Sequence, residues 1–280
     1  MLGEIDMNKK YEFTGETKEY NGRKLQRIKR IEDDLVGGWI ESERNLSQKG
    51  RCFVYDNAIV YDNAIVCDDS IVCDDARVYD EAEVCGNAWV FGNAKVYGYL
   101  AKVSDYARIY GNASVYGDAE VYGCARVYGN ASVYDNADIS VGARIYDNAK
   151  VYGNAEIYGH ADIRGDAEIY GNAIVRGDVW IRDNAEIYGN AEVCGDAEVC
   201  GDARVSEGTI IGRISQPYES IFQYPCKDSI LTAILTEDGE ILYSIDYQYN
   251  MSKEIFLDRI YNNREEYLKL IPLVEMYFGK

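Results

Sequence analysis

From Val54 onward an aliphatic residue returns at every sixth position. Val54, Val60, Val66, Val72, Val78, Val84, Val90 and Val96 make eight such hexads. One additional residue falls within Tyr97–Lys102, after which the anchor returns at Val103 and keeps period six through Ile109 and Val115 to Ile211, nineteen more. A small residue, usually Ala, stands two positions before each anchor. Side chains two apart on a strand share a face, so the small residue and the anchor are predicted to point into a core. The residue between them and the one after the anchor then point outward. The next two positions hold Gly or Asp and then Asn or Asp, residue types that tolerate positive φ and turn a corner. Strand, corner, strand is the prediction, and self-similarity at a fixed short period marks a solenoid.

The flanks break the period. Residues 11–31 predict a hairpin around Asn21-Gly22. Ile230–Gln248 reads as two strands joined at Asp238-Gly239, and Ser252–Phe278 as largely helical with a break or kink near Pro272. The domain division expected is an N-terminal β cap at 1–50, the repeat at 51–213 and a small α+β cap at 214–280. Such caps would cover strand edges that otherwise template open-ended polymerisation.

The spacing of an aliphatic residue and a small residue four later, carried by Val115–Ala119 and its copies, resembles the hexapeptide-repeat family over about 51–213. The lead-in Leu35-Val36-Gly37-Gly38-Trp39-Ile40-Glu41-Ser42-Glu43-Arg44-Asn45-Leu46-Ser47 is similar to that of the YdcK-like bacterial and phage repeat proteins. The resemblance implies an all-β solenoid, a triangular left-handed parallel β-helix with three hexads per coil and hence about nine coils. Its handedness comes from the resemblance alone, because crossovers between parallel strands are in general right-handed. A trimer is the oligomer that the resemblance implies.

With three hexads per coil, outward positions eighteen apart stack in ladders. One face should carry Tyr61, Tyr79, Tyr97, Tyr116, Tyr134, Tyr152, Tyr170 and Tyr188. A second should carry Arg108, Arg126 and Arg144 beside Tyr110, Tyr128 and Tyr146, with Trp89, Phe91 and Trp180. The third holds Glu83, Glu120, Asp138, Glu156 and Glu192, interrupted by Lys102 and Ile174. Stacked aromatics can simply stabilise a parallel sheet. Tyr and Arg are also enriched at interfaces, and aligned guanidiniums can grip carboxylates or phosphates.

Charge sharpens the choice of partner. The net charge is −19, with 10 Lys/Arg and 10 Asp/Glu in 1–50, 13 and 27 in 51–213, and 6 and 11 in 214–280. An acidic chain is a poor neutraliser of phosphates, so direct nucleic-acid binding is not expected. Without a membrane-length apolar run or the h-region of a signal peptide, a cytoplasmic location is expected. Five of the eight Cys (Cys67, Cys73, Cys85, Cys194, Cys200) occupy the position after the anchor that Tyr usually fills and read as its substitute. Spacings such as Cys67 to Cys73 follow the six-residue period and not a zinc knuckle, so no metal or cofactor is expected. The corner acids Asp68, Asp69, Asp74, Asp75, Asp80 and Glu81 match no calcium loop and read as solvated corners.

Many members of the resembled family are acyltransferases with a His as general base and acyl-CoA lying along the helix. Here His160 is the single His, at a corner position with no extruded loop nearby. A base needs substrate in reach and usually an orienting partner. The reading favoured is a non-enzymatic binding or scaffold protein acting through the Tyr and Arg/Tyr ladders on a protein or anionic ligand, in the manner of a phage-type inhibitor or sponge. Its alternatives are an acyltransferase using His160 and an acidic decoy that mimics DNA.

Overall fold

The structure is a computed structural model that describes residues 9–195, 197–206, 210–212, 217–226, 229–236, 241–245, 251–260, 271–272 and 274–275. The chain divides into two compact units, Met1–Val141 and Gly142–Lys280.

In the first unit, β1 (Tyr11–Tyr20) and β2 (Arg23–Arg30) form the hairpin expected at Asn21-Gly22, closing on the pair Tyr20 and Arg23. Both turn residues have positive φ, 49° and 74°, which matches the right-handed twist of the two strands. Next to β2 lies β3 (Val36–Ile40), antiparallel to it and parallel to the leg Ile59–Val60. Leu46 bridges in parallel to Val66, and Phe53–Val54 pairs with Ile71–Val72. Stacking therefore starts on the aperiodic lead-in, ahead of the first hexad. That segment supplies two pairing edges ahead of Val54, and Asn45 takes up corner and leg carbonyls of the next coil. Its buried amide donates to the carbonyls of Asp62 and Ala64 at 3.0 and 2.9 Å, and its Oδ1 accepts from the Ser42 N–H at 2.9 Å.

Three parallel stacks follow in this unit. Legs 59–60, 77–80, 95–98, 114–116 and 132–133 make one, and legs 53–54, 71–72, 89–90, 108–109 and 126–127 the second. Legs 65–66, 83–84, 102–103, 120–121 and 138–139 make the third. Twenty-seven anchors at three legs per coil give a parallel β-solenoid of about nine coils over the two units. Rung neighbours are eighteen residues apart except across the extra residue, where Tyr97 pairs with Tyr116 and Lys102 with Glu83, nineteen apart. The surplus is extruded at the corner Gly98-Tyr99-Leu100, with Tyr99 64% and Leu100 60% exposed. Gly98 there has φ 118°, and a Cβ on it would lie 2.5 Å from both N and O of Gly117.

The second unit repeats the plan. Legs 150–151, 168–169, 186–187 and 204–205 stack, as do 144–145, 162–163, 180–181 and 198–199, and 156–159, 174–177, 192–195 and 210–212. Pro217–Cys226 continues the middle stack in parallel and then pairs antiparallel with Ser229–Thr236, which pairs antiparallel with Ile241–Ile245. Within the expected helical stretch, Lys253–Ile260 is a helix whose Phe256 is buried against Tyr243, rings 5.1 Å apart. The Asp238-Gly239 turn and residues 261–270 lie outside the described residues. Among the described residues no helix is long and apolar enough to cross a membrane.

The anchors from Val54 to Val205 and the Ala two before each are fully buried, as the alternation requires. Each Val or Ile so buried contributes roughly 1.5–3 kcal/mol of transfer free energy. Polar ladders hold the corners. The first corner residue is left-handed, for example Asp68 at φ 57°, and several of the Asp there accept the N–H of the corner one coil on. Asp68, Asp74 and Asp105 take Gly86, Gly92 and Gly123 at 3.0, 2.9 and 3.1 Å. The second corner residue forms amide chains, Asn93 to Asn112 to Asn130 and, in the second unit, Asn154 to Asn172 to Asn190. The crowded corner acids are thus partly structural acceptors, beyond the solvated role that the sequence suggested for them.

Candidate functional site

The outward residue after each anchor meets, on the next coil, the outward residue sixteen positions later. That diagonal sets the chemistry of the faces. Tyr122 reaches Asp138 and, in the second unit, Tyr146 reaches Asp162 and Tyr152 reaches Glu168, with hydroxyl-to-carboxylate distances of 3.2, 2.8 and 3.1 Å. Arg176 meets Glu192 and Arg182 meets Glu198 by the same offset. Other outward cations find an acid in a rung neighbour, Lys150 in Glu168 and Arg204 in Glu186, each at 2.8 Å.

Arg108 and Arg126 have no such partner among the described residues. They are direct rung neighbours, both exposed, above Trp89, whose ring lies 5.6 Å from the Arg108 guanidinium and which is itself 43% exposed. Among the described residues neither meets a carboxylate. Beside them Phe91, Tyr110 and Tyr128 stack at 4.8 Å per step, within 5° of parallel. At the offset where an acid usually stands, Tyr110 has Arg126. Two like charges on adjacent rungs are destabilising, so this arrangement carries a cost, as do the acid pairs Glu120 with Asp138 and, in the second unit, Glu168 with Glu186.

In the second unit the corresponding residues are differently engaged. Arg144 pairs in register with Asp162, which accepts from the Tyr146 hydroxyl. That hydroxyl also accepts from Arg164 at 3.2 Å, and Arg164 lies 5.4 Å from the ring of Trp180. Burial, then the bond to Asp162, pushes the Tyr146 hydroxyl pKa up. Of the sequence-predicted set, Arg108, Arg126, Tyr110, Tyr128 and Trp89 come together in the first unit; in the second, Tyr146 bonds Asp162 and Arg164, and Arg144 stands in register with Asp162.

The Tyr ladder is present in both units. Tyr61, Tyr79, Tyr97, Tyr116 and Tyr134 stack at 5.1, 4.7, 4.9 and 4.8 Å, and Tyr152, Tyr170 and Tyr188 at 4.9 and 5.2 Å. Its first ring is not free surface. Tyr61 is buried with Leu25, Trp39 and Ile59 under the hairpin, and Tyr20 meets it edge-on at 5.8 Å. Burial also raises the Tyr79 hydroxyl pKa, with Tyr97 adding to it.

His160 is exposed at its corner, and its ring lies over Gly142, where a Cβ would come within 2.6 Å of Nδ1. Among the described residues no side chain hydrogen-bonds the imidazole, so no orienting partner for a general base is present at this position.

One feature escaped the sequence reading. At the lower end of the Trp89 stack the hairpin overhangs the first legs and leaves a cleft of about 720 Å³, lined by Lys10, Arg30, Arg51, Phe53, Tyr55 and Trp89 among others. Arg30 lies over the rings of Phe53 and Tyr55 at 5.4 and 6.0 Å and holds the carboxyl of Asp33 down to about 2. Lys10 Nζ donates to Cys52 O at 2.7 Å and lies 2.9 Å from Cys52 Sγ; burial nonetheless raises that thiol pKa. Arg51 bonds Asp69 at 2.7 Å. The hairpin's contribution depends on contacts over long sequence separation, and no periodic signal in the chain carries it.

The YdcK β-solenoid repeat family matches residues 53–68 and 107–123. No curated protein matches the chain in sequence. Among solved structures, UDP-N-acetylglucosamine acyltransferase from Campylobacter jejuni is similar at 15% identity and a TM-score of 0.34, over 60% of this chain and 73% of that one.

Proposed function

We propose that this β-solenoid repeat protein, with its YdcK-type repeat, is a non-enzymatic binding protein whose recognition surface is the Trp89–Arg108–Arg126 stack with the adjoining Phe91–Tyr110–Tyr128 rings. Its partner is anionic. One observation carries the reading: in a chain of net charge −19, two exposed guanidiniums stand on adjacent rungs and meet no acid among the described residues, whereas Arg176, Arg182 and Arg204 each have one. Bidentate guanidinium donors one rung apart, roughly 4.8 Å, can hold successive oxygens of a single extended anion, and the flat rings add contact area at low entropic cost. The cleft below Trp89 extends this surface with aromatic walls.

The acidic total does not oppose this at physiological salt, where the screening length is about 8 Å and local cations dominate. The test uses the full chain and a fluorescent glutamate-rich peptide, titrated by anisotropy at rising salt. Arg108→Glu with Arg126→Glu is expected to weaken binding at least about tenfold, as removal of hot-spot residues does, and to flatten the salt dependence. Tyr110→Ala with Tyr128→Ala should weaken it with the salt slope retained. Unchanged affinity in the folded charge-reversal variant removes this reading.

A further inference from the structure

Cys67 and Cys85 are eighteen residues apart, at the outward position after the anchors Val66 and Val84. The six-residue spacing of Cys67 and Cys73 puts those two on different legs. Eighteen residues put Cys67 and Cys85 on adjacent rungs of one stack, since Val66 pairs with Val84 and Ile65 with Glu83. Cys67 Sγ, Cys85 Sγ and a carboxylate oxygen of Asp68 all lie within 4.8 Å of one another. Burial is the first cause that pushes both thiol pKa values up, and the Glu83 carboxylate adds to it at Cys85. Glu83 is the diagonal partner of Cys67 by the sixteen-residue offset that elsewhere joins Tyr or Arg to an acid.

The backbone fixes these groups. Cys67 N–H donates to Val84 O at 3.0 Å, and Cys85 N–H to Val103 O at 3.0 Å. Asp68 Oδ2 accepts the Gly86 N–H at 3.0 Å, which orients the carboxylate while its other oxygen bonds nothing among the described residues.

We propose that Cys67, Cys85 and Asp68 form a binding site for a thiophilic divalent cation of the zinc class, with Glu83 as the adjacent carboxylate able to complete four ligands. The donor set is what such an ion takes: thiolates with one or two carboxylate oxygens. Tetrahedral bonds of about 2.3 Å to sulfur put two sulfurs about 3.8 Å apart, so a contraction of at most about 1 Å, within reach of side-chain rotation, assembles the site. On binding, each thiol gives its proton to solvent and its sulfur lone pair to the ion. Two thiolates and two carboxylates around a dication leave a charge of −2, and Lys102, whose Nζ lies 4.0 Å from Glu83 Oε1, offsets one of the two. The ion would join two coils where the third stack has thiols in place of rings. The other convergence, Asp56, Cys73 and Asp74, has one thiol, because the rung neighbours of the Cys73 position are Tyr55 and Phe91; it serves as an internal control.

The experiment takes the full chain, reduced and stripped with a chelator, and titrates it anaerobically with Co²⁺ and then Zn²⁺. Stoichiometric growth of the thiolate-to-cobalt charge-transfer band, lost on adding Zn²⁺, is expected. Cys67→Ser with Cys85→Ser should abolish the band while Cys73→Ser and Cys194→Ser retain it. Asp68→Asn should lower Zn²⁺ affinity by at least about tenfold, since even groups behind the ligands cost that much. Circular dichroism of each variant shows that folding is kept. A band of equal strength in the Cys67/Cys85 double variant, or no thiolate band in the parent chain at excess Co²⁺, overturns the proposal.

Discussion

The stacked rings of the first unit allow a quantitative test of what holds neighbouring coils together outside the core. Tyr97 lies between Tyr79 at 4.7 Å and Tyr116 at 4.9 Å, tilted by only 4° and 6°. Parallel aromatic pairs are worth about 0.5–1.5 kcal/mol beyond their buried area. Replacing Tyr97 by Val keeps the preference for strand and removes both pairs, for a loss of roughly 1–3 kcal/mol before the area term. A double-mutant cycle on Tyr79→Val and Tyr97→Val isolates one pair, with an expected coupling of about 0.5–1.5 kcal/mol. Urea unfolding followed by circular dichroism gives the global figure. Solenoids unfold in parts, so amide exchange at the Val78 and Val96 rungs confines the measurement to the affected coils. Tyr79 with Tyr128, on another stack, is the additive control. Coupling for Tyr79 and Tyr97 no larger than in that control, about 0.3 kcal/mol, would refute ring stacking as a contributor and leave packing of the aliphatic anchors alone.

Two further outcomes follow from particular residues. Val141 has φ 60°, a conformation costly for a β-branched side chain, at a corner position where Asp135 and Gly129 stand one and two hexads before it. Relief of about 1–2 kcal/mol less the extra chain entropy of Gly predicts that Val141→Gly stabilises by about 0.5–1 kcal/mol, read as a raised unfolding midpoint; a lowered midpoint would mean that Val141 packs against something. Deleting residues 1–50 removes β3 from the Ile59–Val60 leg and bares Tyr61 and Ile59, so light scattering should show aggregation; a monodisperse monomer would show that this edge needs no cover.

The repeat was legible because each hexad states its own structure: Ala inward, Val or Ile inward, corner residues with tolerance for positive φ. The surplus residue near Tyr97 was legible as well, but whether it shifted the register was not; the pairing of Tyr97 with Tyr116 shows that the corner absorbs it and the rungs on both sides keep facing inward. Other features were not. The buried Asn45 on carbonyls of the next coil, and the hairpin that covers Tyr61 and roofs the cleft at Phe53 and Tyr55, depend on contacts between segments with no shared period. Among the site residues, the ladders followed from counting by eighteen. That Arg126 stands where Asp138 stands on another face required the diagonal of sixteen, which is fixed by the stagger of side chains on neighbouring rungs and not by the period. The approach of Cys67 and Cys85 was within reach of the same counting but was hidden by treating each Cys as a lone replacement for Tyr.

Three legs per coil also govern what changes of length the chain tolerates. Within a unit, duplicating eighteen residues lengthens every ladder by a rung and leaves each surface chemically as it was. Duplicating six turns all that follows by one side of the prism, so tyrosines would continue an arginine column and thiols would face acids. Growth by whole coils is therefore silent for recognition, and growth by single hexads reassigns every face at once. A single extra residue, as at Gly98-Tyr99-Leu100, escapes both rules because it leaves the wall entirely, and corners of this kind are where a new loop can be added without rewriting the surfaces around it.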